Sequence, residues 1–294
     1  MYAVIRLVSI HTERLQLIND VKKFCVEELG LTSNNSFTKI ISDQRLYYIL
    51  CISPKNGIKP NSPLTGVAYY NSLAEVNFIT RYAQSSITKK LFSEIDICVQ
   101  EVLAKVKTDE KDIQLTNEDI VEKTQITQTV LDMPKALIPG LIIHENFHMH
   151  ALLNRINIDY YIEESIADTL GYQGSKQYYK NNTIVLKELE EHNNYQQRFY
   201  CWCNMYTKRL NKTYRISVPE GRKMLMEAQE DYKNNFPGEP DINNAFFMMW
   251  LPYTERNTAV RKILRKENPR EHINKISRCA QIMTLKELEK IIKS

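Results

Sequence analysis

The stretch that most constrains this chain runs from Leu137 to Gln177, LIPGLIIHENFHMHALLNRINIDYYIEESIADTLGYQGSKQ. Within it, His144-Glu145-Asn146-Phe147-His148 is an HExxH. Residues four apart on a helix share a face, so His144 and His148 present two imidazoles to one point. That arrangement suits Zn²⁺, which takes neutral imidazole nitrogens at about 2.0–2.1 Å in a tetrahedral site. Glu145 follows the first histidine and can reach a water held at an open metal position, which makes it the expected general base. The flanks Leu141, Ile142, Ile143, Phe147, Leu152 and Leu153 are apolar, so the helix is expected to be buried. Two buried imidazoles need partners, and a metal ion supplies one. Closed structural zinc sites recruit cysteine and leave no acid beside the first histidine, so the pattern predicts an open site.

A second helix is predicted from Ile162, with Glu164 and Asp168 four apart on one face. Glu164 is the expected third ligand. Asp168 is expected to hold a ligand histidine by its other ring nitrogen, fixing tautomer and basicity. Glu163 competes with Glu164, although it lies five residues before Asp168 rather than four. His150 is out of ligand register and reads as a satisfied polar residue near the site. Gly171 and Gly174 mark a place where helices can pack closely.

EESIADTLG, residues 163–171, resembles the NEAISDIFG-type segment that follows HExxH in thermolysin-like and aminopeptidase-like zinc enzymes, the gluzincins. The resemblance implies one zinc ion held by His144, His148 and Glu164, with Glu145 as base and Asp168 behind a ligand. Fifteen residues, 149 to 163, separate the last histidine from Glu164, fewer than in thermolysin or the large aminopeptidases. Within the gluzincins the chain is more similar to the bacterial family of predicted aminopeptidases. There a shorter gap leads to an NESFA segment and then a G-x-x-G-A-x-x-Y/W stretch, matched by Gly171 to Tyr178 with serine in place of the alanine.

Other segments extend the likeness in order. Phe24-x-x-x-x-Leu29-Gly30-Leu31 is followed by a polar turn, an aromatic strand over Arg45 to Ser53, and Pro63-Leu64-Thr65-Gly66-Val67-Ala68-Tyr69. In gluzincins a strand beside the zinc often runs antiparallel to the substrate, which implies a substrate-binding role for Gly66 and Tyr69. Asn243-Asn244-Ala245 and a tyrosine further on also match. The resemblance therefore offers Tyr253, with Asn244 second, as the group that stabilises the oxyanion. An amine anchor for an aminopeptidase is not identified: Glu163 is one candidate, and the acids of residues 109–119 are others. Cleavage inside a chain therefore stays open.

The 294 residues suffice for one large domain or two smaller parts sharing a core. We divide the chain into an N-terminal α/β part, 1–134, and a part with the metal-site helices and a C-terminal helical region, 135–294. Helices are expected over residues 10–30, 118–133, 184–210, 219–235 and 284–293, the last opened by the capping box Thr284-x-x-Glu287. Short strands are expected at 45–53 and 64–70, and a strand followed by helix at 92–106. Residues 108–120 read as a polar loop. The expected class is helix-dominated α+β: a gluzincin-like zincin with a small N-terminal mixed sheet.

Composition sets outer limits. Apolar content of 43% and charged content of 25% are ordinary for a globular chain. A net charge of +4, from 39 basic and 35 acidic residues, gives no argument for nucleic acid. No run of 18 apolar residues exists, so no transmembrane segment is expected. The six cysteines are scattered without CxxC spacing and read as reduced thiols, favouring a reducing compartment. The expected location is cytoplasmic, or the cell envelope if a signal or lipid anchor has been removed, since members of the resembled family often begin with a lipoprotein-type signal. The expected function is zinc-dependent hydrolysis of a peptide or protein substrate, with aminopeptidase favoured by the resemblance. The alternative is a catalytically inactive gluzincin-like module that binds peptides or proteins.

Overall fold

A computed structural model describes residues 2–40, 46–58, 66–70, 95–103, 126, 128–238, 240, 242–265 and 268–294. The polar loop expected at 108–120 and the start of the helix expected at 118–133 lie outside these residues. The chain divides into two units. Unit 1 comprises Met1–Gln44, Lys111–Gln196 and Glu255–Ser294; unit 2 comprises Arg45–Glu110 and Gln197–Thr254. This interleaved division differs from the sequential one at 134. The physical reason is that the strands after Gln44 find helical cover in residues beyond Gln196.

Unit 1 is helical. Helix α1, Tyr2–Glu27, ends at Gly30, whose φ of 76° lets the chain turn while Leu31 N–H donates back to the Cys25 carbonyl. The expected start at residue 10 is too late, since the helix continues back to Tyr2. After the short α2, Gln128–Asp132, helix α3 spans Ile138–Leu153 with Pro139 in its first turn, where proline costs no hydrogen bond. Ile142, Ile143 and Phe147 of α3 are fully buried, as expected of the motif's apolar flanks, whereas Leu152 in the last turn is exposed. Strand β4, Asn157–Ile158, leads into α4, Tyr160–Tyr178, capped by the Asp159 side chain accepting from the Ile162 N–H. Helices α3 and α4 pack at very close range. A Cβ added to Gly171 would stand 2.7 Å from the Gly140 carbonyl oxygen, and one added to Gly174 would stand 2.6 Å from Ile143 Cδ1. The backbone contact makes Gly171 the position that sets the separation of the two helices that carry the candidate ligands.

Helix α5, Thr183–Tyr214, contributes residues up to Gln196 to unit 1 and the remainder to unit 2. The last segment of unit 1 adds α8, Glu255–Ile263; α9, Pro269–Ile276; β5, Gln281–Ile282; and α10, Leu285–Lys293. It is joined by the parallel pairs Asn157 with Gln281 and Ile158 with Ile282. Thr284 and Glu287 form the expected capping box at α10. The core of unit 1 gathers Ile18, Leu29, Ile143, Phe147, Ile166, Leu170, Ile273 and Leu288.

Unit 2 holds strands β1, Leu46–Pro54; β2, Gly66–Tyr70; and β3, Ile95–Leu103, in the order β2-β1-β3. Both pairings are antiparallel, so among the described residues this sheet is not the mixed sheet expected. A parallel neighbour would need a long crossover connection, whereas antiparallel strands need none. β3 stays extended throughout, where a strand followed by helix was expected. Helix α6, Val218–Asn235, is capped by Ser217. Helix α7, Asn244–Trp250, packs on β1 and β3 and is followed by a 3₁₀ turn, Leu251–Tyr253. The class is thus helix-dominated α+β.

Candidate metal centre

His144 and His148 stand one turn apart on α3, and Glu164 faces them from α4. The two Nε2 atoms are 3.1 Å apart. Glu164 Oε2 lies 3.5 Å from His144 Nε2, and Oε1 lies 3.6 Å from His148 Nε2. Bonds of about 2.0–2.1 Å in a tetrahedron give ligand-to-ligand edges of about 3.3–3.4 Å. Glu164 meets each imidazole through a different oxygen, and one donor atom from each of the three residues lies within 4.8 Å of the other two, so these groups could hold one metal ion. Glu164 is only 4% exposed, and an ionised carboxylate at such depth needs a cation or protonated partners.

Glu163 takes a different position from its neighbour. Its Oε1 accepts a 2.7 Å hydrogen bond from His148 Nδ1. With the proton on Nδ1, the lone pair of Nε2 is directed to the site, the arrangement that orients a metal-binding imidazole and raises its basicity. Sequence reasoning gave that supporting role to Asp168. Asp168 Oδ2 instead accepts from Asn257 Nδ2 and from Arg261 Nη2, each at 2.8 Å. Arg261 also donates through Nε to Asn257 Oδ1 and through Nη1 to Asn193 Oδ1. Asp168 still acts on the site through its charge. Burial disfavours the imidazolium of His144, but the hydrogen bond to Glu164 and the charges of Glu145, Glu164 and Asp168 outweigh burial and hold its pKa above the usual histidine range.

His150 lies outside the cluster, as its register implies. Its Nδ1 accepts from the Thr32 N–H at 3.0 Å, so the ring proton sits on Nε2, which donates to Ser277 Oγ at 2.7 Å. Burial pushes its pKa down. Asn146 anchors the same helix face, donating to the Ile142 carbonyl and accepting from Asn34 Nδ2 at 2.7 Å. These bonds tie the 31–36 loop to the helix that bears the histidines.

Glu145 and His144 border a cavity of about 250 Å³ within unit 1. The acids of residues 109–119 lie outside the described residues, and the other sequence candidates belong to unit 2. Asn244 Nδ2 donates to the Pro54 carbonyl at 2.8 Å, so it secures α7 to β1; the helix cap is Asn243, which accepts from the Phe246 N–H. Tyr253 stacks on Tyr200, ring centroids 5.5 Å apart. Gly66 pairs with Ile52 and Tyr69 with Ile49. Their roles towards a metal centre rest on the resemblance alone. Asn193, Asn257 and Arg261 were not anticipated; the only signal was the four-residue spacing of Asn257 and Arg261, which is common on helices.

Among the described residues no helix is long and apolar enough to cross a membrane. Compared with family models, with curated proteins and with solved structures, the chain matches none.

Proposed function

We propose that this chain is a gluzincin-like zinc peptidase that hydrolyses peptide bonds, with aminopeptidase activity favoured by the order of its segments. The observation that carries the reading is the meeting of His144 Nε2, His148 Nε2 and the Glu164 carboxylate, with Glu145 one residue from the first histidine. Two imidazoles and one carboxylate are a donor set of catalytic zinc, which leaves a fourth position for water or substrate. A zinc ion held there supplies a Lewis acid for a carbonyl oxygen and brings the pKa of bound water to about 7. Glu145 then removes a proton from the attacking water and delivers it to the nitrogen of the leaving amine. Glu163 keeps His148 in the tautomer that can bind metal. Asp168, held by Arg261 and Asn257, adds negative charge close to His144.

The test is a peptide-library digest by purified protein with zinc, with and without chelator, beside metal analysis. About one equivalent of zinc and chelator-sensitive cleavage are expected. Glu145→Gln should keep the metal and lose turnover. Protein that binds metal but cleaves nothing is the inactive binding module; protein without metal removes the peptidase reading. Free against acetylated peptide ends separates aminopeptidase from cleavage inside a chain.

A further inference from the structure

We propose that Cys51 and Cys98 are a disulfide site, joined across strands β1 and β3 of unit 2 by exchange with a small-molecule disulfide. The two strands pair antiparallel along their whole length, and the register sets Cys51 directly opposite Cys98. Residues directly opposite in such a pair share a face of the sheet, with Cα atoms about 4.5 or 5.5 Å apart according to their place in the ladder. Both separations fall within the roughly 4.4–6.8 Å that a disulfide spans. The Cβ atoms of such pairs, about 4.5–5.5 Å apart, need to close by only about 1 Å. β1 is the central strand, with β2 paired along its other edge, so the register opposite Cys98 is held from both sides. No other two cysteines face each other across the described strands. Cys25 lies on α1 and Cys279 follows α9, both in unit 1. Cys201 and Cys203 lie two apart on α5, one exposed and one buried, so they point apart.

The chemistry is two successive exchanges. One thiolate attacks a sulfur of the small disulfide, forms a mixed disulfide and releases one small thiolate. The second thiolate attacks the protein sulfur of that bond, closes Cys51 to Cys98 and releases the other small thiolate. The two protein thiols lose two protons and two electrons, and the small disulfide is reduced to two thiols. Cys51 is fully buried, and burial pushes its pKa up to about 12, so exchange waits on opening of the sheet. The same cover shields the closed bond from small thiols. The bond closes residues 51–98, with β2 among them, into a ring, which restricts the unfolded chain far more than the folded sheet.

The test holds full-length protein in mixtures of reduced and oxidised glutathione until the composition is constant, once in mild urea that speeds opening and once in urea that unfolds the chain. Free thiols are then alkylated in denaturant, and tryptic peptides are read by mass spectrometry. Residues 46–55 linked to residues 91–105 are expected, lighter by two hydrogens than the separate peptides. The ratio of linked to free pair should be at least tenfold higher in the folded protein than in the unfolded chain. Oxidation should raise the urea midpoint by about 1 M, and Cys98→Ser should remove that rise. If Cys98→Ser does not fold, the peptide ratio of the wild-type protein decides alone. Both cysteines fully alkylated, either one linked to a different cysteine or left carrying glutathione, an equal ratio in folded and unfolded protein, or a midpoint rise kept by Cys98→Ser would overturn the site.

Discussion

Glu163 Oε1 sits 2.7 Å from His148 Nδ1, on the side of the ring opposite the nitrogen that faces His144 and Glu164. Adjacent glutamates on one helix thus take different places, Glu164 in the candidate metal cluster and Glu163 behind one of its histidines. Partners of this kind typically change metal affinity by about 10–100-fold when removed. Glu163→Ala should therefore weaken zinc binding by that factor, measured against a chromophoric chelator. Glu163→Gln keeps an acceptor oxygen and should lose less. Equal affinity in all three proteins would remove the role.

Arg261 and Asp168 make a largely buried pair, 18% and 16% exposed. Removing one member of a buried pair strands the other, at a cost of about 3 kcal/mol, the low end of the range because some water reaches both. Arg261→Met should therefore lower the urea midpoint substantially. Arg261→Lys should lower it too, because an ammonium cannot reproduce the bonds to Asn193, Asn257 and Asp168 together. The double variant Arg261→Met with Asp168→Asn should recover part of the loss. A midpoint unchanged in the single variants would show that the pair contributes nothing measurable.

The candidate metal cluster was readable from the sequence because its spacing is local. His144 and His148 are four apart, and Glu164 with Asp168 repeats that interval, so helix periodicity alone puts each pair on a face. That Glu163 rather than Asp168 would back His148 was not readable, since it depends on how α4 is rotated against α3. Periodicity favoured Glu164 for the cluster, but it gave no partner to Glu163, whose carboxylate meets the other nitrogen of His148. Arg261 lies 93 residues from Asp168 in the chain, and nothing in its neighbourhood announces the contact. The interleaving of the two units was hidden for a similar reason. An apolar helix face shows that it will be covered, not by which segment.

The close approach of α3 and α4 gives a graded prediction. Gly171→Ala puts a methyl group 2.7 Å from a backbone oxygen, which can yield only if the helices separate. Overpacking of this kind costs about 1–3 kcal/mol. The same shift would draw Glu164 from the histidines, so zinc affinity should fall along with stability. Gly174→Ala meets instead the terminal methyl of Ile143, which can rotate aside, and its effect on both readouts should be smaller. The reverse order would mean that the glycines do not set the helix separation.

Thiol reactivity should map the two cores. Cys25 in unit 1 and Cys51 in unit 2 are buried, and burial pushes both pKa values up to about 12; Cys203 is likewise raised, whereas Cys201 is exposed. Alkylation of the native protein at about pH 8, read by mass spectrometry, should mark Cys201 first and spare Cys25, Cys51 and Cys203 until the chain unfolds. The same burial makes stability fall in alkali. An unfolded thiol loses its proton near pH 8.5, but the folded thiols keep theirs. Above that pH the unfolded chain binds fewer protons than the folded one, so stability present below about pH 8.5 is lost progressively as pH rises towards 12. The urea midpoint should drop between pH 8 and pH 10.5, and Cys25→Ala, though less stable overall, should show a shallower drop over that interval. A slope identical to wild type would mean that Cys25 ionises as readily in the folded protein as in the unfolded chain.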